Sequence, residues 1–190
     1  MRLFVAIELP EMVRTALGNV QQQVRKQTIK GRFFTESNMH LTLCFLGETK
    51  PERVQELMLF LQEAAALGKA FPLHFARQLR YFGTEKPARV VWIGLHGELK
   101  ELRKLQLLVA RAVEKAGLPL EERPYVRHIT LARNCVFSAG VPLAKGEIEF
   151  LMPSLPEFEV TNFSLMISEQ VDGNRVYRAL DRFVFPKECQ

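Results

Sequence analysis

The sequence predicts an α+β fold, because short runs of strand-forming residues alternate with stretches in which apolar residues recur at helical spacing. No linker, low-complexity tract or block of like charges divides the 190 residues. Hydrophobic residues make up 47% of the chain, an ordinary share for a globular protein, which excludes disorder as its main state. We therefore expect one domain that covers residues 1–190.

In the first half of the chain, strands and helices are predicted to alternate. Residues 2–9 are predicted to form a strand, and a helix after Pro10 is indicated by the spacing of Val13, Leu17, Val20 and Val24. Residues 38–47 are predicted to form a second strand. The segment Thr49-Lys50-Pro51-Glu52 has the form of a capping box with proline in the first turn, which predicts a helix whose apolar face comprises Val54, Leu57, Met58 and Leu61.

In the second half, residues 71–82 and 89–95 are predicted to be strands joined by a hairpin loop that contains Gly83 and Pro87. A third helix is predicted over residues 98–116, with a stripe formed by Leu102, Leu105, Val109 and Val113. Three more strands are predicted near residues 126–134, 158–169 and 175–185. Asp172-Gly173-Asn174 indicates a tight turn between the last two, whereas the segment between 134 and 156 has no clear pattern.

The charge of the chain is mildly basic and spread along its length. There are 26 Lys and Arg residues against 21 Asp and Glu residues, so the formal net charge is +5, and the sequence pI is near 9.3. This balance permits an anionic partner such as a phosphate-bearing ligand or RNA, but it equally fits a surface that is charged for solubility. No run of Lys and Arg marks a nucleic-acid-binding tail.

The cysteines and the apolar runs indicate the cellular compartment of the protein. Cys44, Cys135 and Cys189 lack any C-x-x-C spacing and are too few for a disulfide framework or a zinc knuckle, so we expect free thiols. No apolar run approaches the roughly 18 residues that a membrane span requires, and the first apolar run is too short for a signal peptide. We therefore expect a cytoplasmic protein without a membrane partner.

One tetrapeptide pattern occurs twice. His40-Leu41-Thr42-Leu43 is echoed far along the chain by His128-Ile129-Thr130-Leu131, so that both segments have the form His-x-Thr-x with apolar residues at x. Because side chains i and i+2 of a strand share a face, each segment should project an imidazole and a hydroxyl together while its apolar residues face the core. The other two histidines, His74 and His96, lack the Thr partner, and we interpret them as structural.

Two such segments that face each other suit chemistry at a phosphate. Imidazole titrates near neutral pH, so one ring acts as base and the other as acid, although the residues themselves do not say which is which. Hydroxyls of Thr42 and Thr130 would hold nonbridging oxygens. A zinc or two-metal hydrolase needs three or more His, Asp or Glu ligands, and neither segment contains a carboxylate. We therefore predict in-line phosphoryl transfer with no metal and no cofactor.

These residues resemble the two-histidine phosphoesterase superfamily and, within it, the RNA 2′,3′-cyclic phosphodiesterases, long labelled 2′-5′ RNA ligases. The similarity runs almost end to end, from Arg2-Leu3-Phe4-Val5-Ala6-Ile7 through both His-x-Thr-x segments, and it includes the strand Arg89-Val90-Val91-Trp92-Ile93-Gly94. The resemblance implies two pseudo-symmetric lobes with antiparallel sheets flanking a central groove and helices on the outer faces. One motif would lie on each side of the groove.

The resemblance also implies the reaction and the roles of the residues. The reaction would be hydrolysis of a terminal 2′,3′-cyclic phosphate on RNA to a 2′-phosphate, with His40 as proton donor and His128 as proton acceptor. The partner would be RNA with such an end, tRNA fragments included, and the protein would act as a monomer. Arg133 would contact the phosphate and Phe45 would lie near the base.

The residue five positions after each histidine can face the site only if the strand is irregular at that point. Strict alternation along a strand would turn both Phe45 and Arg133 toward the core, so their place in a site requires a bulge or a strand end. A guanidinium offers paired donors to phosphate oxygens, and an aromatic ring offers a stacking surface for a base. For Phe45, an ordinary core position is the alternative.

Three other functions remain open at the level of sequence. The same site run in reverse would join RNA ends as a nucleotide-independent 2′-5′ ligase. A smaller substrate, such as a cyclic nucleotide or a cyclic phosphate of ADP-ribose, would fit the same chemistry. A non-catalytic RNA-binding module is the alternative from another class, although binding alone would not need two matched titratable groups.

Overall fold

A computed structural model describes residues 1–187 of the chain, and over these residues the fold comprises three α-helices, eleven β-strands and one short 3-10 helix, Glu36–Asn38. The α-helices are α1 Glu11–Lys26, α2 Pro51–Ala66 and α3 Leu99–Lys115. The first strands are β1 Arg2–Glu8, β2 Thr28–Phe33, β3 His40–Glu48, β4 Phe71–Gly83, β5 Ala88–Gly97 and β6 His128–Phe137. The remaining strands are β7 Leu143–Ala144, β8 Glu147–Ile148, β9 Phe158–Val160, β10 Asn162–Val171 and β11 Asn174–Val184.

The strands form two sheets, and every pairing described is antiparallel. The first sheet has the order β11-β10-β1-β3, and the second has the order β2-β6-β5-β4-β8-β7, with β9 also paired to β4. The predicted α+β class with antiparallel sheets is thus confirmed. Each sheet contains one motif strand, β3 or β6, hydrogen-bonded to an apolar neighbour, β1 or β5.

One continuous core joins the two sheets to the three helices. The buried stripes of α1, α2 and α3 pack in the same cluster as the core-facing residues of both sheets, for example Leu17, Leu57 and Val109 with Leu41 and Ile129. The opposite face of the first sheet carries a separate small apolar cluster of Phe4, Ala6 and Met166. The helices therefore lie on the core side of the sheets and leave the other sheet faces for a groove.

Most of the predicted elements are confirmed. The starts of α1 and α2 and both limits of α3 lie within one residue of the prediction, and the strands around Gly83 and Pro87 pair as the β4–β5 hairpin. The terminal hairpin is also present, because Asp172 and Gly173 both have positive φ, at 46° and 77°, as a tight turn between β10 and β11 requires. Cys44 and Cys135 are buried free thiols, as predicted, and Cys189 lies outside the described residues.

Three predictions about local structure are wrong. The capping box is absent, because Lys50 precedes α2 without a side-chain cap and buried Thr49 instead exchanges backbone hydrogen bonds with Met1. Asn38 belongs to the 3-10 helix rather than to the second strand. The single strand predicted over residues 158–169 is two strands, β9 and β10, which pair in different sheets.

Strand β2 was not predicted at all. Its pattern of burial has no alternation, since Ile29 to Arg32 are all exposed, and it is held at a sheet edge by pairing with β6. Backbone pairing with a neighbour that is distant in sequence cannot be recognised from a run that buries so little. Among the described residues, no helix is both long and apolar enough to cross a membrane.

Buried Gln21 on α1 fastens β2 to the motif strand β6. Its Nε2 donates to the carbonyl of Phe34 at 2.7 Å and to the carbonyl of Leu131 at 2.8 Å. The Phe34 N–H also donates to the Leu131 carbonyl, at 3.2 Å. An amide in the core that satisfies two carbonyls fixes the end of β2 against the middle of β6.

We expect Gln21→Ala to lower the free energy of unfolding by about 1–3 kcal/mol, because two carbonyls lose a buried donor. Gln22→Ala is the matched control, since the adjacent Gln22 is exposed on the same helix. Urea unfolding of both variants measures the difference. Equal midpoints for the two variants would contradict the role assigned to the Gln21 amide.

Candidate active site

Strand β3 is irregular at two positions in its pairing with β1, because Leu43 and Leu46 are both skipped, and the first irregularity lies within the motif. Cys44 and Thr42 occupy successive pairing positions, so Leu43 is inserted as a bulge. Leu43 and Cys44 are buried one after the other, and the alternation then resumes shifted by one position. As a result Phe45, whose side chain is 48% exposed, lies on the same face as His40 and Thr42.

Strand β6 repeats this irregularity at the equivalent place. Its register with β5 skips Leu131, and Leu131 and Ala132 are both buried. Arg133 is therefore exposed on the face that carries His128 and Thr130. The bulge that the sequence required at this point is present in both motifs, one residue after each threonine.

The two motifs meet at one pocket. The structure brings all six residues predicted for the site to its lining, together with three that were not predicted; the lining comprises Phe34, Asn38, His40, Thr42, Phe45, His128, Thr130, Arg133 and Tyr177. The other two histidines, His74 and His96, stack on each other across β4 and β5 at 5.9 Å between ring centroids and do not line this pocket.

The His40 ring is held on both of its nitrogens. Nδ1–H donates to the backbone carbonyl of Asn38 at 2.8 Å, so Nε2 carries the free lone pair of the neutral ring and accepts from the Thr42 hydroxyl at 3.0 Å. The ring lies against Phe4, with centroids 4.8 Å apart, and Tyr177 packs edge-on to it at 5.2 Å. These contacts fix which nitrogen faces the pocket.

Burial sets the charge of His40. The pKa of His40 is lowered to about 4, mainly because the ring is removed from water; the neighbouring His128 acts in the same direction, while the hydrogen bond to the Asn38 carbonyl opposes the shift. His40 is therefore neutral at pH 7 in the free protein. The influence of His128 also shows that the two rings are close enough to couple electrostatically.

His128 is held at Nδ1 in the same way in the second sheet. Its Nδ1–H donates to the carbonyl of Val126 at 2.7 Å, and the ring packs edge-on against Phe82 and Trp92 at 5.5 and 5.7 Å. Burial lowers the pKa of His128 below its usual value, and the nearby guanidinium of Arg133 acts in the same direction. Both imidazoles thus present Nε2 for proton transfer.

The remaining polar groups of the pocket are suited to bind an anion. Thr42 and Thr130 supply hydroxyls, and Arg133 supplies a guanidinium that lies over the Phe34 ring at 5.8 Å. No Asp or Glu lines the pocket, and no cluster of three or more His, Cys, Asp or Glu side chains within residues 1–187 is arranged to hold a metal ion. A tetrahedral phosphate would meet donors and a positive charge here, with no carboxylate to repel it.

Asn38 is the pocket residue that sequence reasoning missed most clearly. Its buried side chain donates from Nδ2 to the Arg175 carbonyl at 2.7 Å, and its Oδ1 accepts from the Tyr177 N–H at 3.2 Å. This clamp ties the carbonyl that orients His40 to strand β11. The sequence offered one signal for it: Asn38 is polar, whereas the equivalent residue of the second motif, Val126, is apolar.

Comparison with known proteins agrees with this geometry. The family model of LigT-like phosphoesterases matches residues 7–92. An RNA 2′,3′-cyclic phosphodiesterase of Thermus thermophilus is 32% identical over 189 residues, which cover 96% of this chain and 89% of that protein. One of Methanocaldococcus jannaschii is 28% identical over 95% of this chain and 98% of its own length.

Solved structures show the same fold over nearly the whole chain. A crystal structure from Thermus thermophilus has a TM-score of 0.78 and 31% identity, with 100% of both chains covered. Escherichia coli LigT in complex with 3′-AMP has a TM-score of 0.74 and 27% identity, with 98% of both chains covered. The resemblance inferred from the two motifs is therefore confirmed, and the chain belongs to the LigT-like phosphoesterases.

Proposed function

We propose that this chain hydrolyses the 2′,3′-cyclic phosphate at the end of an RNA strand to a 2′-phosphomonoester, with His40 and His128 as the acid–base pair and without a metal ion. The observation that carries this proposal is the convergence of two half-buried imidazoles and two threonine hydroxyls on one pocket. The names of the relatives in Thermus thermophilus and Methanocaldococcus jannaschii support the choice of substrate.

The reaction requires two proton transfers, one from the attacking water to a base and one from an acid to the leaving oxygen. His128 accepts a proton from water as the water oxygen bonds to phosphorus, and His40 donates a proton to O3′ as the bond between phosphorus and O3′ breaks. The phosphate stays on O2′. This assignment of acid and base follows the resemblance to the family, and in-line geometry places the two rings on opposite sides of the phosphorus.

The other pocket residues stabilise the phosphate and the terminal nucleotide. Thr42 and Thr130 donate to nonbridging oxygens, and Arg133 neutralises the negative charge that builds up on them. Phe45 lines the pocket and is half exposed, and in this proposal its ring stacks on the base. These groups supply the charge stabilisation that a metal provides in other hydrolases, so the proposed reaction proceeds without one.

We expect wild-type protein to convert an oligonucleotide ending in a 2′,3′-cyclic phosphate to the 2′-phosphate, identified by mass spectrometry and chromatography against both monoester standards. His40→Ala and His128→Ala should each lower turnover by about 10² to 10⁴, because each removes one proton transfer. His74→Ala, at a histidine outside the pocket, is the matched control. Activity should persist in EDTA.

Each contrary outcome identifies a different alternative. Formation of the 3′-phosphate would mean that O2′ leaves instead of O3′. Binding of the oligonucleotide without any product would support a non-catalytic RNA-binding module. Loss of activity in EDTA, or wild-type turnover in either pocket variant, would overturn the metal-free acid–base mechanism.

The pH dependence should reveal the lowered pKa values. The free enzyme must hold one neutral and one protonated imidazole, so kcat/KM falls on the acid side when both rings are protonated and on the alkaline side when both are neutral. Because the pKa values of both histidines are lowered, and that of His40 to about 4, the kcat/KM bell should be centred below pH 6.5. The kcat bell should lie at higher pH, since the bound anion favours the imidazolium.

Steady-state kinetics between about pH 4 and pH 9 measures both profiles. A kcat/KM bell centred above the usual histidine value would show that burial does not control the two rings. Coincident kcat and kcat/KM profiles would show that the bound phosphate does not raise their pKa values.

We expect Asn38→Ala to lower kcat by about tenfold or more, because the carbonyl that holds Nδ1–H of His40 loses its clamp to β11. Asn162→Ala is the control, since the Asn162 side chain donates to the adjacent Thr161 and is not one of the pocket-lining residues named above. Nitrogen-15 NMR of the histidine rings should show the His40 tautomer mixed in Asn38→Ala. A lower free energy of unfolding with unchanged kcat and tautomer would make Asn38 purely structural.

A further inference from the structure

We infer that Arg32 binds a second phosphate, the internucleotide phosphate immediately 5′ of the terminal nucleotide, so that the preferred substrate is an oligonucleotide rather than a cyclic mononucleotide. This inference rests on the proposed function, since it names the substrate class of the same site. A strand that ends in a 2′,3′-cyclic phosphate has its nearest other phosphate on the 5′ side of the terminal nucleotide.

Arg32 lies beside the pocket by virtue of strand pairing. It is directly opposite Arg133 in the pairing of β2 with β6, and both side chains are exposed. Directly opposite residues of an antiparallel pair project to the same face. The neighbour Phe33 packs against the core, which places Arg32 on the groove face, next to the guanidinium proposed to hold the cyclic phosphate.

Without a ligand, the Arg32 and Arg133 guanidiniums repel each other and destabilise the pairing of β2 with β6. Like charges directly opposite in a sheet destabilise the strand pairing. Among residues 1–187, the ion pairs found do not include Arg32 or Arg133, so neither charge is neutralised by a carboxylate. A polyanion that passes over both residues would relieve this repulsion, because each guanidinium would then face its own phosphate.

The backbone that carries Arg32 is held in place even though β2 is an edge strand. Gln21 donates to the carbonyls of Phe34 and Leu131, which ties the end of β2 to the bulge of the second motif. Arg32 therefore has a fixed backbone position relative to Arg133 and His128. Because β2 is the edge strand beside β6, Arg32 extends the anion-binding surface by one strand beyond Arg133.

The test compares two substrates that differ by one phosphate. Adenosine 2′,3′-cyclic phosphate has no internucleotide phosphate, whereas the adenosine dinucleotide ending in a 2′,3′-cyclic phosphate has one. We expect Arg32→Gln to lower kcat/KM for the dinucleotide by about tenfold and to leave that for the mononucleotide within about twofold. Arg111→Gln, at an exposed position on α3, should change neither.

A binding measurement separates this inference from the proposed function. Calorimetry with the two products, adenosine 2′-phosphate and the dinucleotide 2′-phosphate, reports the subsite without any turnover. Arg32→Gln should weaken only the dinucleotide by about tenfold, and the slope of its log affinity against log salt should fall by about 0.7. Wild-type protein that hydrolyses neither cyclic phosphate would overturn the proposed function, while this comparison would still decide the role of Arg32.

Two results would overturn the inference. An equal loss for the mononucleotide and the dinucleotide would mean that Arg32 acts on the terminal phosphate or on the fold. Dinucleotide affinity that is unchanged in Arg32→Gln would mean that the guanidinium is an ordinary solvated surface charge.

Discussion

One inserted residue in each motif strand determines which side chains form the site. Without the bulges at Leu43 and Leu131, strict alternation would place Phe45 and Arg133 on the core faces of their sheets. A guanidinium in the core would be unpaired and strongly destabilising. The bulge removes this conflict, and it also gathers the first, third and sixth residues of each motif segment on one face. The site is therefore a property of the backbone register as much as of the residues themselves.

The same sheets supply an environment that controls proton transfer. Each imidazole donates from Nδ1 to a carbonyl, which fixes its tautomer, and its burial against aromatic rings disfavours its cation. The pocket contains no carboxylate to offset that penalty, so the positive charge must be balanced by an incoming anion. In the proposed mechanism, substrate binding and protonation of the pair are accordingly one coupled event.

The sequence predicts this protein well where periodicity or a repeated motif is present, and poorly where long-range pairing decides the structure. The stripes of the three helices and the two His-x-Thr-x segments could be located because burial in a helix or strand leaves a regular pattern. Strand β2 leaves none, since four of its six residues are exposed and its hydrogen bonds are made with β6. Phe34 and Tyr177 reach the pocket through such contacts, which only the folded chain reveals, and the hydrogen bonds that hold Asn38 against β11 are likewise visible only in the structure.

The two halves of the site are alike in backbone but not in charge, and this difference bears on the proposed roles. Burial lowers the pKa of His40 to about 4, so His40 protonated beside neutral His128 is a minority form of the free protein. In the proposed mechanism that form is the reactive one, because an acid with a low pKa gives up its proton readily to O3′. Arg133 beside His128 disfavours a second positive charge there, which keeps that ring available as the base. A bound phosphate then increases the population of the reactive form, so the low pKa of His40 in the free protein is compatible with a proton donor that acts only when substrate is present.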